Sequence, residues 1–322
     1  MATEGRLIDV SGGLGARLGA ETQLRPLRAV VRFLRTKPLG SIGAAIVLAI
    51  ILLAIFAPLI APYGLDNRVI AERMQNPSMK HLLGTDELGR DILSRVIYGA
   101  RVSAFVGFGS VLIATVIAAA IGMVSGFFGG KVDLIIQRLV DMWIAFPFLI
   151  LLLAFMAVFG TPFGKAHLGP VTLEPSQQRA AQIIVILGLL FAIRDSRVVR
   201  GATMAIRNNT YVEAGRGLGA SNLRILLSYI LPNIAPPLLV LATLQLGTAI
   251  LAESTLGFLG FGIPDPVPSW GHMLSGAARA RVRIDPWLAF WPGLAISLSV
   301  FAFNMLGDAL RDVLDPRLRG SR

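Results

Sequence analysis

Apolar residues in this chain come in long blocks instead of an alternating or amphipathic scatter. No charge occurs between Lys37 and Asp66, and the run LGSIGAAIVLAIILLAIFAPLIA fills most of that gap. A run of this length predicts a helix that crosses a bilayer, here over residues 39–61. Further blocks predict spans over 102–126, 142–159, 180–200, 233–256 and 286–306. The second is rich in Gly, Ala and Ser, which lets helices approach closely in lipid. Pro147 predicts a kink in the third. The fourth has fourteen uncharged residues between Arg179 and Arg194. Its helix is expected to run on through RDSRVVR, with arginines snorkelling and Asp195 pairing with Arg194 or Arg197. Pro236 and Pro237 are expected in the first turn of the fifth, where proline is tolerated. The pattern predicts an all-α polytopic membrane protein with six transmembrane helices spread over residues 38–322.

Between the blocks, shorter signals stand out. Residues 1–23 are Gly-rich without periodicity, which predicts a mobile tail. Over 24–37, Leu24, Leu27, Val30, Val31 and Leu34 share one helical face and the arginines largely the other, predicting an interfacial amphipathic helix. In the first long polar loop, Thr85 or Asp86 can cap a helix, and Asp91 with Arg95 is spaced as an i,i+4 ion pair. Asp133 and Asp141 are each placed to pair with Arg138. Glu253, near the end of an apolar helix, is expected to face a cavity, a partner or water.

Composition narrows the class. The chain has 322 residues, 54% hydrophobic and only 15% charged, with a mean hydropathy of +0.69. A soluble protein carries about 25% charged residues. The net charge of +11 would suggest nucleic acid in a soluble chain. Here cytoplasmic arginines and anionic lipid headgroups account for it, and no nucleic-acid partner is expected. With the N-terminus inside, 19 of the 30 Lys and Arg residues fall on the cytoplasmic side and 11 in the outer loops. Both termini are therefore expected in the cytoplasm.

Catalytic chemistry finds no foothold. Cysteine is absent. No Gly-x-x-x-x-Gly-Lys-Ser/Thr, His-Glu-x-x-His or Gly-x-Ser-x-Gly pattern occurs, so no ATP hydrolysis, metalloprotease or esterase site is expected. His81, His167 and His272 fall in separate outer loops. His81 with Asp86 and Asp91 offers a metal-ligand set by residue type, and His272 with Met273 a nickel contact. Capping, ion pairing and loop packing explain these residues more simply, and no cofactor or metal is expected on this chain.

The polar stretch 207–232, RNNTYVEAGRGLGASNLRILLSYILP, organises the rest. Thr210 can cap a short helix, with Glu213 completing a capping box. Tyr211, Ala214 and Leu218 then share a face. Gly219 suits the left-handed turn that ends such a helix. Ser221 or Asn222 can cap the next, and Pro232 predicts a further break. The product is a helix–turn–helix knuckle held outside the bilayer.

Glu213-Ala214-Gly215, then Gly219, Tyr229 and Leu231-Pro232, resemble the Glu-Ala-Ala loop of the membrane subunits of bacterial ABC importers. The departures from that pattern are Gly215 for its second Ala and Tyr229 for its Ile. The stretches HLLGTDELGRDILSRVIYGARVS and AESTLGFLGFGIPDPVPSWGHML resemble the second, C-type member of the paired permeases in dipeptide, oligopeptide and nickel importers. The resemblance implies the type I importer permease fold in the bacterial inner membrane. It also implies a related second permease, two cytoplasmic ATPases that bind ATP and Mg, and an extracytoplasmic substrate-binding protein. Arg207, Tyr211, Glu213, Ala214, Gly215, Arg216, Gly219, Leu231 and Pro232 would then meet the ATPase. Glu253, Phe258 and Asn304 are candidates for the pathway or its outer gate. A peptide cargo is expected, with nickel or another small solute as the alternative. An ion-coupled secondary transporter fits less well, since Glu253 alone offers an ionisable residue within an apolar block.

Overall fold

The computed structural model describes residues 37–160, 166–168, 171–275, 279 and 283–314. The expected tail 1–23, the interfacial helix but for its last residue, and the chain after Leu314 lie outside the described residues. The described chain is helical apart from its loops and one short antiparallel hairpin, β1 (Ala166–Leu168) with β2 (Val171–Leu173), pairing Ala166 with Leu173. The loop over 160–180 was expected to be irregular.

Helix α1 (Pro38–Ile60) opens with proline in its first turn, where the missing N–H has no intrahelical acceptor to satisfy. Lys37 Nζ lies 2.6 Å from Asp312 and ties this end to the last helix. Helix α2 (Ile92–Phe128) begins earlier than the expected span. Its cap is Asp91, whose carboxylate accepts from the Ser94 amide at 2.8 Å. Neither Thr85 nor Asp86 caps it, because both are committed to loop contacts: Thr85 Oγ1 accepts from the Gln75 amide, and Asp86 accepts from the amides of Leu88 and Arg90.

Helices α3 (Gly130–Ile144) and α4 (Phe148–Phe159) replace the expected third span, and they meet at an angle of 86°. Pro147 turns the kink into a break. It lacks an N–H for the helix ladder and excludes the residue before it from helical geometry. The expected pairs with Arg138 are not made. Asp133 instead accepts from Arg200 Nε and Nη2 at 2.5 and 2.6 Å and from Ser125 Oγ. Asp141 pairs with Arg197, which is therefore not the partner of Asp195. Both pairs join α3 to α5 (Pro175–Ile206).

Helix α5 is about 48 Å long at 1.5 Å per residue, and it forms the broadest contact in the molecule, on α2. Small residues make the seam. A Cβ on Gly122 would stand 2.6 Å from the Ser196 carbonyl, and one on Gly188 would stand 2.7 Å from Ile113. Bulk at either place would force the helices apart, which is costly in lipid, where close van der Waals contact drives association.

After the short helix α6 (Thr210–Gly217), one helix, α7, runs from Asn222 to Phe258. It includes a π-helical stretch, Ile225–Ile230. The break expected at Pro232 is absent, and Pro236 and Pro237 lie well inside this longer helix. The widened turn absorbs the change: the Leu231 amide reaches back to Leu226 O, and Asn233 Nδ2 donates to Tyr229 O at 2.6 Å. A one-turn helix, α8 (Trp270–Met273), and the last long helix, α9 (Trp287–Leu314), complete the chain.

Among the described residues, α1, α2, α7 and α9 are long and apolar enough to cross a membrane, and the bent α3–α4 pair would make a fifth. Helix α5 is long enough but carries Arg194, Asp195, Arg197 and Arg200. The main apolar core lies between α2, α5, α7 and α9, with Ile183, Leu187, Ile250, Leu256 and Phe303 deep inside it.

Candidate functional site

Two polar assemblies stand at opposite ends of this bundle. The first is the knuckle formed by α6 and the start of α7. Asn209, in extended conformation, precedes α6, and Thr210 is already helical. The capping box expected from Thr210 is not formed, because the chain turns into the helix one residue earlier: the Glu213 amide bonds to Asn209 O. At the other end the expected turn is present in full. Gly219 has φ +80, its amide bonds to Arg216 O at 2.9 Å, and that of Ala220 bonds to Gly215 O at 3.0 Å. This is the Schellman arrangement that satisfies the last carbonyls of a helix. Ser221 Oγ then caps α7 on the Arg224 amide.

One face of α6 is turned inward. Val212 is buried, and Gly215 lies so close to Tyr229 that a Cβ would stand 3.3 Å from its ring. Gly215 and Tyr229, the two departures from the loop pattern, therefore touch. Tyr229 fills the space that a smaller residue would leave, and Gly215 makes room for it. The other face carries Tyr211, Glu213, Ala214 and Leu218 to the surface. Leu218 is 87% exposed and Leu223 beside it 65%. Arg207 and Arg216 are already engaged within the chain. Arg207 Nη1 donates to Gly126 O at 2.9 Å, and the Arg216 guanidinium stands 5.1 Å over the Phe127 ring. Both fasten the knuckle to the end of α2. Glu213 makes no ion pair among the described residues. Leu231 is half-buried and Pro232 exposed where α7 leaves its π-helical stretch.

The second assembly is a cap made by residues 62–91, 259–275, which include α8, and 283–286. Arg90 is its centre: Nε lies 2.6 Å from Asp86 and Nη1 2.9 Å from Asp265. Arg95 lies further from both, at 3.7 and 3.5 Å, so the expected pair with Asp91 is absent. Asp91 is occupied by its capping role and by His81 Nδ1 at 3.0 Å. His81 also reaches Glu72 through Nε2 and stacks on Tyr63. His272 Nε2 lies 3.4 Å from Asp265. The His272 contact holds the Asp265 carboxyl well below the usual carboxylate range, assisted by Arg90 and Arg95 and opposed by partial burial. A pocket of about 260 Å³ lies among Asp86, Arg90, Arg95, Asp265 and His272.

Helix α8 plugs the bundle beneath this network. Trp270 is buried against Gly99, and its Nε1 donates to Val96 O at 2.9 Å. Backbone meets backbone behind it: a Cβ on Gly271 would stand 2.2 Å from the Ser254 carbonyl, and one on Gly257 would stand 2.6 Å from the His272 amide. Glu253 sits under this plug with no exposure. Its Oε2 accepts from Ser103 Oγ at 3.0 Å, while Oε1 has no hydrogen-bond partner among the described residues. Phe258 ends the same helix, with the Arg279 guanidinium 5.5 Å from its ring. Asn304 is not brought to this place. It is exposed on α9, beyond the point where Val300 and Phe303 meet Gly247, towards the Lys37–Asp312 pair. Sequence reasoning named Glu253 and Phe258 but missed Ser103, Trp270 and the Arg90–Asp265 bridge. The glycines Gly257, Gly262 and Gly271 near Trp270 were the available signal, since glycine lets one backbone approach another closely.

Comparison with known proteins gives these two assemblies a common setting. A family described as binding-protein-dependent transport system inner membrane component matches residues 118–320. The N-terminal TM domain of oligopeptide transport permease C matches residues 25–82. The chain is 38% identical over 299 residues to the dipeptide transport system permease protein DppC of Alkalihalophilus pseudofirmus, covering 92% of each. It is likewise 38% identical over 290 residues to the glutathione transport system permease protein GsiD of Escherichia coli O6:K15:H31 and of Shigella boydii serotype 4, covering 90% of each.

Proposed function

The chain belongs to the family of binding-protein-dependent transport system inner membrane components, and we propose that it forms half of the translocation pathway of an ATP-driven importer of short peptides. It is a multi-pass membrane protein and a non-catalytic subunit. The peptide cargo follows from the dipeptide and glutathione permeases it resembles. A related second permease supplies the other half of the pathway, two cytoplasmic ATPases bind ATP and Mg, and an extracytoplasmic binding protein delivers the cargo. Helices α1, α2, the α3–α4 pair, α5, α7 and α9 are the six spans, with α5 crossing despite its charges because Arg197 and Arg200 are paired with α3. Both termini and the knuckle lie in the cytoplasm, and the cap lies outside.

The observation that carries this reading is the exposed row Tyr211, Ala214 and Leu218 along α6, with Leu223 beside it at the start of α7, while the other face of α6 is locked to α7 and the end of α2. Apolar side chains held out on a rigid support suit a groove on a moving partner. When the ATPases close on ATP, they carry the knuckle with them, and α2 and α7 follow. Glu213 is the charge left for the groove, and Arg207 and Arg216 transmit the movement. At the far end, Glu253 and α8 form the outer closure that this movement opens.

Gly219→Pro tests the coupling. Proline cannot adopt φ +80 and has no amide for Arg216 O, so the turn is lost. In proteoliposomes holding the whole complex, ATP-driven dipeptide uptake is expected to fall more than tenfold, while Gly219→Asn, which tolerates the left-handed region, retains most of it. Unchanged uptake in Gly219→Pro, or a wild-type chain that never copurifies with an ATPase, sinks the reading.

A further inference from the structure

A second, larger pocket opens beside the cap, between the first turns of α2, the start of α5 and the loop before α8. Its volume is about 760 Å³, within the range of about 300–1,000 Å³ usual for small-molecule sites. Phe105, Ile184 and Val267 are among the residues of its apolar wall, and Tyr98, Arg101 and Gln177 stand at its polar end. Arg101 distinguishes it. This side chain is exposed and makes no hydrogen bond or ion pair among the described residues, although the two arginines that precede it, Arg90 and Arg95, are bridged to Asp86 and Asp265. Gln177 spends its carbonyl on the Glu174 amide at 3.1 Å, which directs its NH2 group, a donor, elsewhere.

We propose that this crevice receives the transported peptide as it leaves the binding protein, with Arg101 taking the peptide's C-terminal carboxylate. The inference rests on the peptide-import reading above. Three observations favour a peptide over a lipid chain or a helix of the second permease. The polar groups converge at one end of an apolar wall, as in sites that fix the orientation of a small ligand. A guanidinium matches a carboxylate with two parallel donors. The crevice also lies next to Glu253's closure, since Ile263 and Val267 on its rim belong to the loop that carries α8. The peptide would thus wait against the part of the molecule that must move to admit it.

The whole complex is reconstituted in nanodiscs and loaded, through the binding protein, with a dipeptide that carries a photoreactive benzoylphenylalanine side chain. Crosslinks are mapped by mass spectrometry, and uptake of the same peptide is followed in proteoliposomes. Labelling is expected on Phe105 and Ile184. It should fall about tenfold in Arg101→Gln, the scale of one charge-assisted hydrogen bond, and recover partly in Arg101→Lys. Arg101 is exposed, so either variant should assemble, and the yield of complex checks this. Wild-type uptake with labelling elsewhere overturns the crevice but spares the peptide reading. Labelling that is equal in wild type and Arg101→Gln overturns the role of Arg101. Phospholipid or the second permease recovered at Phe105 assigns the crevice to another occupant and overturns the proposal. A complex that takes up no dipeptide at all removes the peptide reading and this inference together.

Discussion

The two ends of the bundle solve opposite problems. At the cap, charges are satisfied within the chain: Arg90 bridges Asp86 and Asp265, His81 bridges Glu72 and Asp91, and α8 is wedged backbone to backbone against α7. At the knuckle, the polar contacts serve only to hold the support still, and the large apolar side chains are left outside. One end is built to stay shut until something forces it, and the other is built to be gripped. Stability should therefore live at the cap and partner dependence at the knuckle, and substitutions at each end should be read out by different measurements.

Arg90→Ala makes the sharpest cut. It removes a guanidinium that is 7% exposed and leaves Asp265 without its shortest ion pair. Asp265 is itself 42% exposed, so the cost should stay below the about 3–5 kcal/mol of breaking a fully buried pair. The expected result is a lower thermal midpoint for the purified chain and early proteolysis within residues 259–275, with or without the ATPases. A chain of unchanged stability would mean that the cap does not hold itself, and the contrast with the knuckle would collapse.

Leu218→Asp is the complementary test. The side chain is 87% exposed, so stability of the isolated chain should move by no more than about 0.5 kcal/mol. Binding to the ATPases should weaken by about 2 kcal/mol or more if Leu218 anchors the groove, visible as a loss of copurification. A drop in stability with intact binding would reverse the assignment of roles.

How far each end could be read from the sequence follows the same division. The knuckle is local. Gly219's turn and Ser221's cap depend on neighbours within a few residues, and these were legible. The error there was also local, a cap assigned to Thr210 instead of the position before it. The cap is not local. Arg95 was matched to Asp91 by i,i+4 spacing, yet its partners are Asp86 and Asp265, the latter on a loop that sequence spacing cannot bring near. Asp133 and Asp141 repeat the lesson: Arg138 was closer in sequence, but Arg200 and Arg197 meet them from α5. Apolar blocks announced where helices run, but not that Pro147 would break one while Pro232 would leave another continuous. That difference lies in whether the turn can widen, as Ile225–Ile230 does.

Acid should separate the ends more gently. The Asp265 carboxyl is held below its ordinary range by His272 first and then by Arg90 and Arg95. A group depressed in the folded state contributes stability above its unfolded pKa, about 4 for Asp, and loses it as pH falls towards the depressed value. The cap should therefore loosen below about pH 4, seen as faster amide exchange in residues 259–275, while α6 exchanges at an unchanged relative rate. Asp265→Asn should remove part of that acid response. A response confined to α6 would place the sensitive carboxylates at the wrong end.

The smallest effect concerns the pair that departs from the loop pattern. Gly215→Ala places a methyl 3.3 Å from the Tyr229 ring, a contact that demands a shift of a few tenths of an ångström. Tyr229→Ile leaves a partial void where the half-buried ring stood. Each change alone should cost up to about 1 kcal/mol by overpacking or by lost contact. Together they restore the pattern, with the new methyl filling some of the space the ring vacated. The double variant should therefore cost less than the sum of the two, by about 0.5–1 kcal/mol in a thermal double-mutant cycle. Uptake should follow the same order, since the inward face of α6 sets the angle at which the outward face meets its partner. Strict additivity would show that Gly215 and Tyr229 are independent choices, and that the knuckle's support tolerates more slack than a rigid coupling requires.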